Sequence, residues 1–127
     1  MRKLYEIFNG EELRIADLIL RRRLQMLVHS YLYYEMNTNL ISDKQFDTWG
    51  RELVKLQQDY PRIAKIVDYA DDFSDWDAST GAFLPLHNEE VIRMATRLLR
   101  IHTQSNEVYK PVQTVTKPKQ PVKRRLF

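Results

Sequence analysis

The chain contains no cysteine, three glycines and no long run of apolar residues. Without cysteine, its 127 residues form no disulfide and no thiolate zinc site, and the three histidines stand too far apart to suggest metal ligands. So few glycines provide no phosphate-cradling loop. No apolar run reaches the length of a membrane span, and no secretory leader is evident. We therefore expect a cytoplasmic protein with no metal site and no membrane contact.

Positive charge is concentrated at the C-terminal end. Residues 104–127 hold six basic side chains against one acidic side chain, a net of +5, whereas the first 103 residues carry fourteen basic and sixteen acidic side chains, a net of −2. The C-terminal segment also contains three prolines and little apolar periodicity. We predict a helical domain over residues 1–103 and a flexible, extended basic tail over 104–127, with weak nonspecific attraction to nucleic acid through the tail.

Two long helices are predicted from start signals and periodic apolar residues. Asn9 is a suitable N-cap for a helix that reaches about Met36, with an apolar face of Leu13, Ala16, Leu20, Leu24, Leu27, Tyr31 and Tyr34. Ser42 is a suitable N-cap for a second helix to about Tyr60, with a face of Phe46, Trp49, Leu53, Leu56 and Tyr60. The short connection predicts a long antiparallel helical hairpin, and hence an all-α fold.

Further elements follow the hairpin. Pro61 is placed to begin a third, short helix. Residues 71–85 predict an ordered acidic-aromatic loop, anchored by Phe73, Trp76 and Phe83 and turned at Gly81. Asn88 should cap a C-terminal helix to about His102, with an inner face of Val91, Met94, Ala95, Leu98, Leu99 and His102.

The first helix carries three adjacent arginines, Arg21, Arg22 and Arg23. We expect two of them to extend into solvent and the third to lie along the core edge with its stem buried. This interpretation is favoured over a phosphate clamp.

Aromatic and acidic side chains gather where the first helix ends and the second begins. Tyr33 and Tyr34 lie in the last turn of the first helix, and Asp43, Phe46 and Asp47 in the first turns of the second. Aromatic faces stack on planar cations and carboxylates accept hydrogen bonds from ribose hydroxyls, which suits a nicotinamide nucleotide. Spacing alone favours the alternative, an aromatic core with an aspartate near a helix dipole.

The stretch "YLYYEMNTNLISDKQFDTWGRELVKLQQDYP" resembles the N-terminal helical segment of bacterial NAD-dependent DNA ligases. That family combines a Tyr-rich helix end, an Ile-x-Asp turn, Tyr-Asp-x-Leu, Glu-Leu and a Tyr-Pro or His-Pro stop. This sequence matches the pattern at Tyr31, Tyr33, Tyr34, Ile41, Asp43, Phe46, Asp47, Glu52, Leu53, Tyr60 and Pro61. In that family the segment captures the nicotinamide mononucleotide half of NAD and folds over the adenylation site.

The resemblance implies a cofactor and a role for each of five residues. Tyr33 and Tyr34 would border the nicotinamide nucleotide, Asp43 and Asp47 would contact its polar groups, and Phe46 would face the ring. NAD or nicotinamide mononucleotide is the expected ligand. Two positions depart from the family pattern, since Tyr34 stands where many members have His and Phe46 where most have Tyr.

The other parts of a ligase are missing from the sequence. It has no Lys-x-Asp-Gly nucleophile, no nucleotidyltransferase domain, no oligonucleotide-binding barrel and no cysteine for the family's zinc finger, so we expect no catalysis. Small free-standing proteins of this kind, some with a "DWD-x-STG" loop like residues 75–81, resemble accessory proteins of bacteriophages. The resemblance implies an accessory protein in the host bacterial cytoplasm, partnered by a ligase core, a replication protein or a host defence component.

A second hypothesis is a protein-interaction adaptor or inhibitor that keeps the hairpin as a scaffold. Its partner-binding residues would lie in the tail, at Lys117, Lys119, Lys123, Arg124, Arg125, Leu126 and Phe127. The ending "QPVKRRLF" loosely resembles short peptides that dock on bacterial sliding clamps, although a solvated basic tail is the favoured alternative. The oligomeric state does not follow from the sequence.

Overall fold

A computed structural model of the protein describes residues 4–109, and within that range every regular element is helical. The predicted all-α fold is therefore confirmed. The helices are α1 (Leu4–Ile7), α2 (Gly10–Met36), α3 (Asp43–Asp59), α4 (Pro61–Ile66), α5 (Ala70–Phe73) and α6 (Glu89–Tyr109). The tail residues predicted to bind a partner lie outside the described residues.

The predicted helix boundaries are correct for the hairpin. The Asn9 side chain accepts a hydrogen bond from the Glu12 backbone, and the Glu12 side chain accepts one from Asn9 in return, which forms a capping box. Asn37 ends α2 in the left-handed region, with φ of 53°, a conformation that asparagine tolerates. The Ser42 hydroxyl accepts from the Gln45 backbone at the start of α3.

Helix α2 lies at the centre and packs against α3, α4 and α6. Helix α3 runs antiparallel to α2, because Arg22 meets Glu52 at 3.0 Å while Glu12, nearer the start of α2, meets Arg62 at 2.7 Å just beyond α3. Helix α6 is also antiparallel to α2, since His87, just before α6, lies 3.3 Å from Glu35 near the end of α2. The hairpin thus becomes a three-helix arrangement with α2 in the middle.

Because α2 has neighbours on two sides, its buried residues differ from the apolar face predicted for it. Of the apolar face predicted for it, only Ala16 and Leu27 are buried, whereas the others are half-buried. The buried set is broader, and comprises Ala16, Ile19, Arg23, Met26, Leu27, Val28, His29, Ser30, Leu32 and Tyr33. A helix enclosed between neighbours on two sides buries more of its circumference than one apolar stripe.

The arginine prediction needs correction. Arg21 is exposed as expected, but Arg22 is mostly enclosed between Glu52 and Gln25. Arg23 does not lie along the core edge, because its whole side chain is 1% exposed. Its guanidinium donates hydrogen bonds to backbone carbonyls at and just beyond the C-terminal end of α4, an arrangement that no periodicity of the sequence indicates.

The predicted acidic-aromatic loop begins with the short helix α5 and continues as irregular structure, and one of its predicted anchors is wrong. Phe73 is fully buried at the end of α5 and packs edge-to-face on the half-buried Trp76, with 5.2 Å between ring centroids. Phe83, predicted as an anchor, is 90% exposed. Short apolar residues of the same loop, such as Leu84, are buried instead.

Helix α6 differs from its prediction at its C-terminal end. Val91 and Ala95 are buried as predicted, whereas His102 is exposed. The helix continues to Tyr109, six residues past the predicted domain boundary at 103. Among the described residues, no helix is both long and apolar enough to cross a membrane.

Candidate functional site

The end of the α2–α3 hairpin holds the five residues predicted to bind a nucleotide. Tyr33 and Tyr34 pack edge-to-face with ring centroids 4.9 Å apart, Tyr33 being buried and Tyr34 half-buried. Asp43 is the exposed first residue of α3, and Asp47 lies one turn later, half-buried. The hairpin therefore brings the tyrosines to the end of one helix and both carboxylates to one side of the next.

Phe46 differs from its predicted role. It is 2% exposed and belongs to the hydrophobic core, so its ring offers no open face to a ligand in this conformation. The loop after α5 covers it, since a Cβ added to Gly81 would lie 3.6 Å from the tip of the Phe46 ring. Helix packing and the loop together make this aromatic residue structural, as the core interpretation predicts.

Thr80 ties the covering loop to the hairpin. Its hydroxyl lies 3.0 Å from the Tyr34 hydroxyl and accepts a hydrogen bond from the Ala82 backbone at 3.0 Å. The Trp76 indole donates to the Thr80 carbonyl at 2.7 Å. Tyr34 thus uses its hydroxyl to hold the loop, a role for which histidine at this position would need different geometry.

Gly81 lets the loop approach α2 closely. A Cβ at this position would overlap the Ser30 hydroxyl, whereas the glycine backbone itself has an ordinary negative φ. Gly81 is therefore required for close approach rather than for the turn that the sequence predicts. Thr80 and Ser30 were missed by sequence reasoning, and the only signal for Thr80 is its place just before Gly81.

A second polar pair stands next to the tyrosines. His87 Nε2 lies 3.3 Å from Glu35 Oε2, and the His87 ring meets Tyr31 edge-to-face at 6.4 Å between centroids. Because both side chains are substantially exposed, the pair is available to a polar ligand at the end of α2. Neither residue was predicted to belong to the site.

The site therefore offers hydrogen-bond acceptors and partly covered aromatic rings. Asp43 and Asp47 provide carboxylate oxygens, which accept hydrogen bonds from hydroxyl groups but donate none when ionised. No cluster of three or more metal-binding side chains occurs in the part of the chain that the structure describes. This chemistry suits recognition of a polyhydroxylated ligand.

Comparison with known proteins gives one informative similarity. A stretch of 47 residues, 37% of this chain, is 45% identical to part of a DNA ligase from Bacteroides fragilis. The matched stretch spans only 7% of the ligase's length. No protein-family model and no solved structure matches the chain. The chain thus contains a segment similar to a short part of a DNA ligase.

Proposed function

We propose that this chain is a non-catalytic accessory module of DNA metabolism that binds the nicotinamide half of NAD at the α2–α3 turn. One observation carries the proposal, namely the 45% identity to a DNA ligase segment in a chain whose hairpin end holds two carboxylates at the start of α3 and paired tyrosines at the end of α2. The resemblance of residues 31–61 to NAD-dependent ligases supports nicotinamide as the group that is recognised. A phage-encoded protein acting on a host enzyme is the setting that this resemblance favours.

The proposed binding mode uses the accessible side chains first. Asp43 and Asp47 accept hydrogen bonds from ribose hydroxyls, while the half-buried Tyr34 lies against the cationic nicotinamide ring. Access to Phe46 requires the loop around Gly81 to move away, which breaks the Tyr34–Thr80 contact. Binding in this mode is therefore coupled to loop opening. Because only molecules with an open loop can bind, the fraction with a closed loop lowers the apparent affinity for the nucleotide.

Calorimetric titration of the full chain with NAD, nicotinamide mononucleotide and AMP tests the site. We expect binding of the first two ligands and no binding of AMP, because only the nicotinamide half contacts the turn. Asp43→Ala combined with Asp47→Ala should abolish the heat. The control combines Asp17→Ala with Asp59→Ala, which removes two exposed carboxylates from the opposite end of the hairpin and should leave binding unchanged. Equal binding by both double variants would refute the site.

The coupling between nucleotide binding and loop opening can be tested separately. Thr80→Val removes the hydroxyl that meets Tyr34 but keeps a β-branched side chain, so opening should require less free energy and nicotinamide mononucleotide should bind more tightly. Ser79→Ala changes a neighbouring exposed residue without touching Tyr34 and serves as the control. Weaker binding by Thr80→Val would mean that the closed loop forms part of the site.

Accessory function is tested with a bacterial NAD-dependent ligase from which the N-terminal segment has been removed. We expect the added chain to restore NAD-dependent adenylation of the truncated ligase, measured as a labelled enzyme on a gel. The Asp43→Ala, Asp47→Ala variant should fail to restore it. If the wild-type chain binds nicotinamide mononucleotide but restores nothing, nucleotide binding stands and the ligase-core partnership is wrong.

The exposed Phe83 favours a second candidate, a protein-interaction adaptor or inhibitor. Phe83 lies on an ordered loop and is 90% exposed. Aromatic side chains are common anchors of protein interfaces, where the partner buries them. In this case the chain should bind an intact NAD-dependent ligase without added nucleotide. Phe83→Ser should weaken that binding, whereas Ile66→Ser, which changes an exposed apolar residue on α4, should not. Absence of nucleotide-independent binding would eliminate this candidate for the ligase partner.

A further inference from the structure

A groove of about 600 Å³ runs between α2 and α6, away from the α2–α3 turn. Its apolar floor is formed by Leu24, Val28, Met94, Leu98 and Ile101, and Gln25 and His29 also line the groove on the α2 side. Ile101 is 50% exposed, so the apolar surface of α6 continues beyond its packing against α2. Two antiparallel helices with an apolar depression between them form the kind of surface that receives an amphipathic helix.

The borders of the groove are basic. Arg21 lies on the α2 side and Arg97 on the α6 side. Arg93 and Arg100 lie one turn before and one turn after Arg97, and all three α6 arginines are exposed. Within the described residues, none of the three takes part in an ion pair, and Arg21 has only an exposed contact with Asp17 at 3.5 Å. The sequence has no acidic residue from Val91 to Asn106.

The basic borders and the apolar floor together indicate which kind of ligand the groove can bind. The chain's own residues 110–127 are basic, so the arginines would repel them. A nucleic-acid backbone would pair with the arginines but would leave the apolar floor without a partner. A helix with one apolar face and acidic flanks satisfies both features, because its apolar side chains cover the floor while its carboxylates meet the arginines.

We propose that the groove between α2 and α6 is a docking site for an acidic amphipathic helix of a protein partner. This surface is separate from the proposed nucleotide site, and occupation of one does not require the other. Arg97 lies at the border and Ile101 on the floor, so one residue reports on charge and the other on apolar contact.

The test uses a synthetic, dye-labelled amphipathic peptide of about 18 residues, with leucines along one helical face and glutamates on its flanks. Fluorescence anisotropy is measured as the full chain is titrated in. We expect saturable binding that is weakened about tenfold or more by Arg97→Glu, which reverses the charge that meets the peptide's glutamates, and by Ile101→Ser, which removes an apolar contact without adding charge. Lys65→Glu and Ile66→Ser are matched controls on α4, and both should bind like the wild type.

Several results would overturn the proposal. Equal binding of a scrambled peptide with the same composition, or no binding at all, would do so. Loss of binding on neutralisation of Lys123, Arg124 and Arg125, with Arg97→Glu unaffected, would assign the interaction to the tail. Duplex DNA that binds in an Arg97-dependent but Ile101-independent manner, without competition from the peptide, would assign the surface to nucleic acid. Self-association lost in Ile101→Ser would assign it to a second copy of the chain.

Discussion

Arg23 shows how a single buried charge can connect separate helices. Its guanidinium donates to the carbonyl oxygens of Ala64, Val67 and Asp68, each at 2.9 Å, and to the Gln57 side chain at 2.9 Å. These carbonyls lie at or just beyond the C-terminal end of α4, where helical partners are missing. Burial lowers the Arg23 pKa to about 10, despite the opposing effect of Asp68 and Asp72, so the side chain remains charged at neutral pH.

Replacement of Arg23 should be strongly destabilising. Arg23→Met keeps much of the apolar stem but leaves the buried carbonyls without donors, and we expect a loss of about 3–5 kcal/mol in the free energy of unfolding. Arg21→Met, at an exposed position on the same helix, should change it by less than about 0.5 kcal/mol. Urea denaturation followed by circular dichroism measures both, and similar losses for the two variants would contradict the buried role.

Gly81 allows a second residue-level prediction. Gly81→Ala places a methyl group on the Ser30 hydroxyl, and the displaced loop should cost about 1–3 kcal/mol of stability. Gly10→Ala, where an added Cβ meets nothing within 4 Å, should be neutral or slightly stabilising. Thermal unfolding compares them, and addition of Ser30→Gly to Gly81→Ala should recover part of the loss. No recovery in that double variant would show that the clash lies elsewhere.

At the scale of elements, Tyr69 links the segment between α4 and α5 to α6. Its backbone has φ of 73°, and its hydroxyl donates to Glu90 in the first turn of α6 at 2.6 Å. Desolvation by burial, together with the hydrogen bond and charge of Glu90, raises the Tyr69 pKa from 10.0 to about 12. The folded state therefore holds this proton more tightly than the unfolded state does.

The raised pKa predicts a pH-dependent stability difference. Tyr69 contributes its full stabilisation below pH 10 and loses it as the pH rises from 10 to about 12, because the unfolded state releases the proton first. The stability advantage of the wild type over Tyr69→Phe should therefore narrow over that range. Urea denaturation at several alkaline pH values measures the difference, which cancels the titration of other groups. A constant difference would argue against the Tyr69–Glu90 contact.

At the scale of the whole molecule, α2 packs against α1, α3, α4 and α6 within the described residues. The other major helix contacts there join α4 to α3 and to α5. One hydrophobic cluster includes residues from α2, α3, α4, α5 and α6, among them Ile19, Leu53, Ile63, Phe73 and Val91. Because these helices share one core around α2, none of them can bury its apolar side chains without the others. Such a domain is expected to unfold as one unit.

Two spectroscopic probes can test this cooperativity. Circular dichroism reports on all helices, while tryptophan fluorescence reports on Trp49 in α3 and Trp76 in the covering loop. We expect the two urea transitions to have the same midpoint, and a Trp76→Phe variant to keep that agreement. An earlier fluorescence transition in the wild type, lost in Trp76→Phe, would show that the loop opens before the core unfolds.

Local chemistry was sufficient to predict where α2, α3 and α4 begin, whereas the short helices α1 and α5 were not predicted. Asn9, Ser42 and Pro61 each determine a helix start through groups within three residues of the boundary, so no tertiary information is needed. The pairing of α2 with α3 also follows from the short connection. In contrast, the predicted stripe on α2 was incomplete, because the contribution of α6 to its burial depends on a segment far away in the chain.

For the candidate site, the location of the residues was predictable but their burial was not. The sequence by itself determined that Tyr33, Tyr34, Asp43 and Asp47 lie at one hairpin end, because helix period and turn length place them there. Only the tertiary structure decided that Phe46 is covered by the loop and that Arg23 binds carbonyls after α4. It also decided that α6 and α2 border a basic groove. These features depend on contacts between distant segments, whose geometry is set by packing and not by local residue patterns.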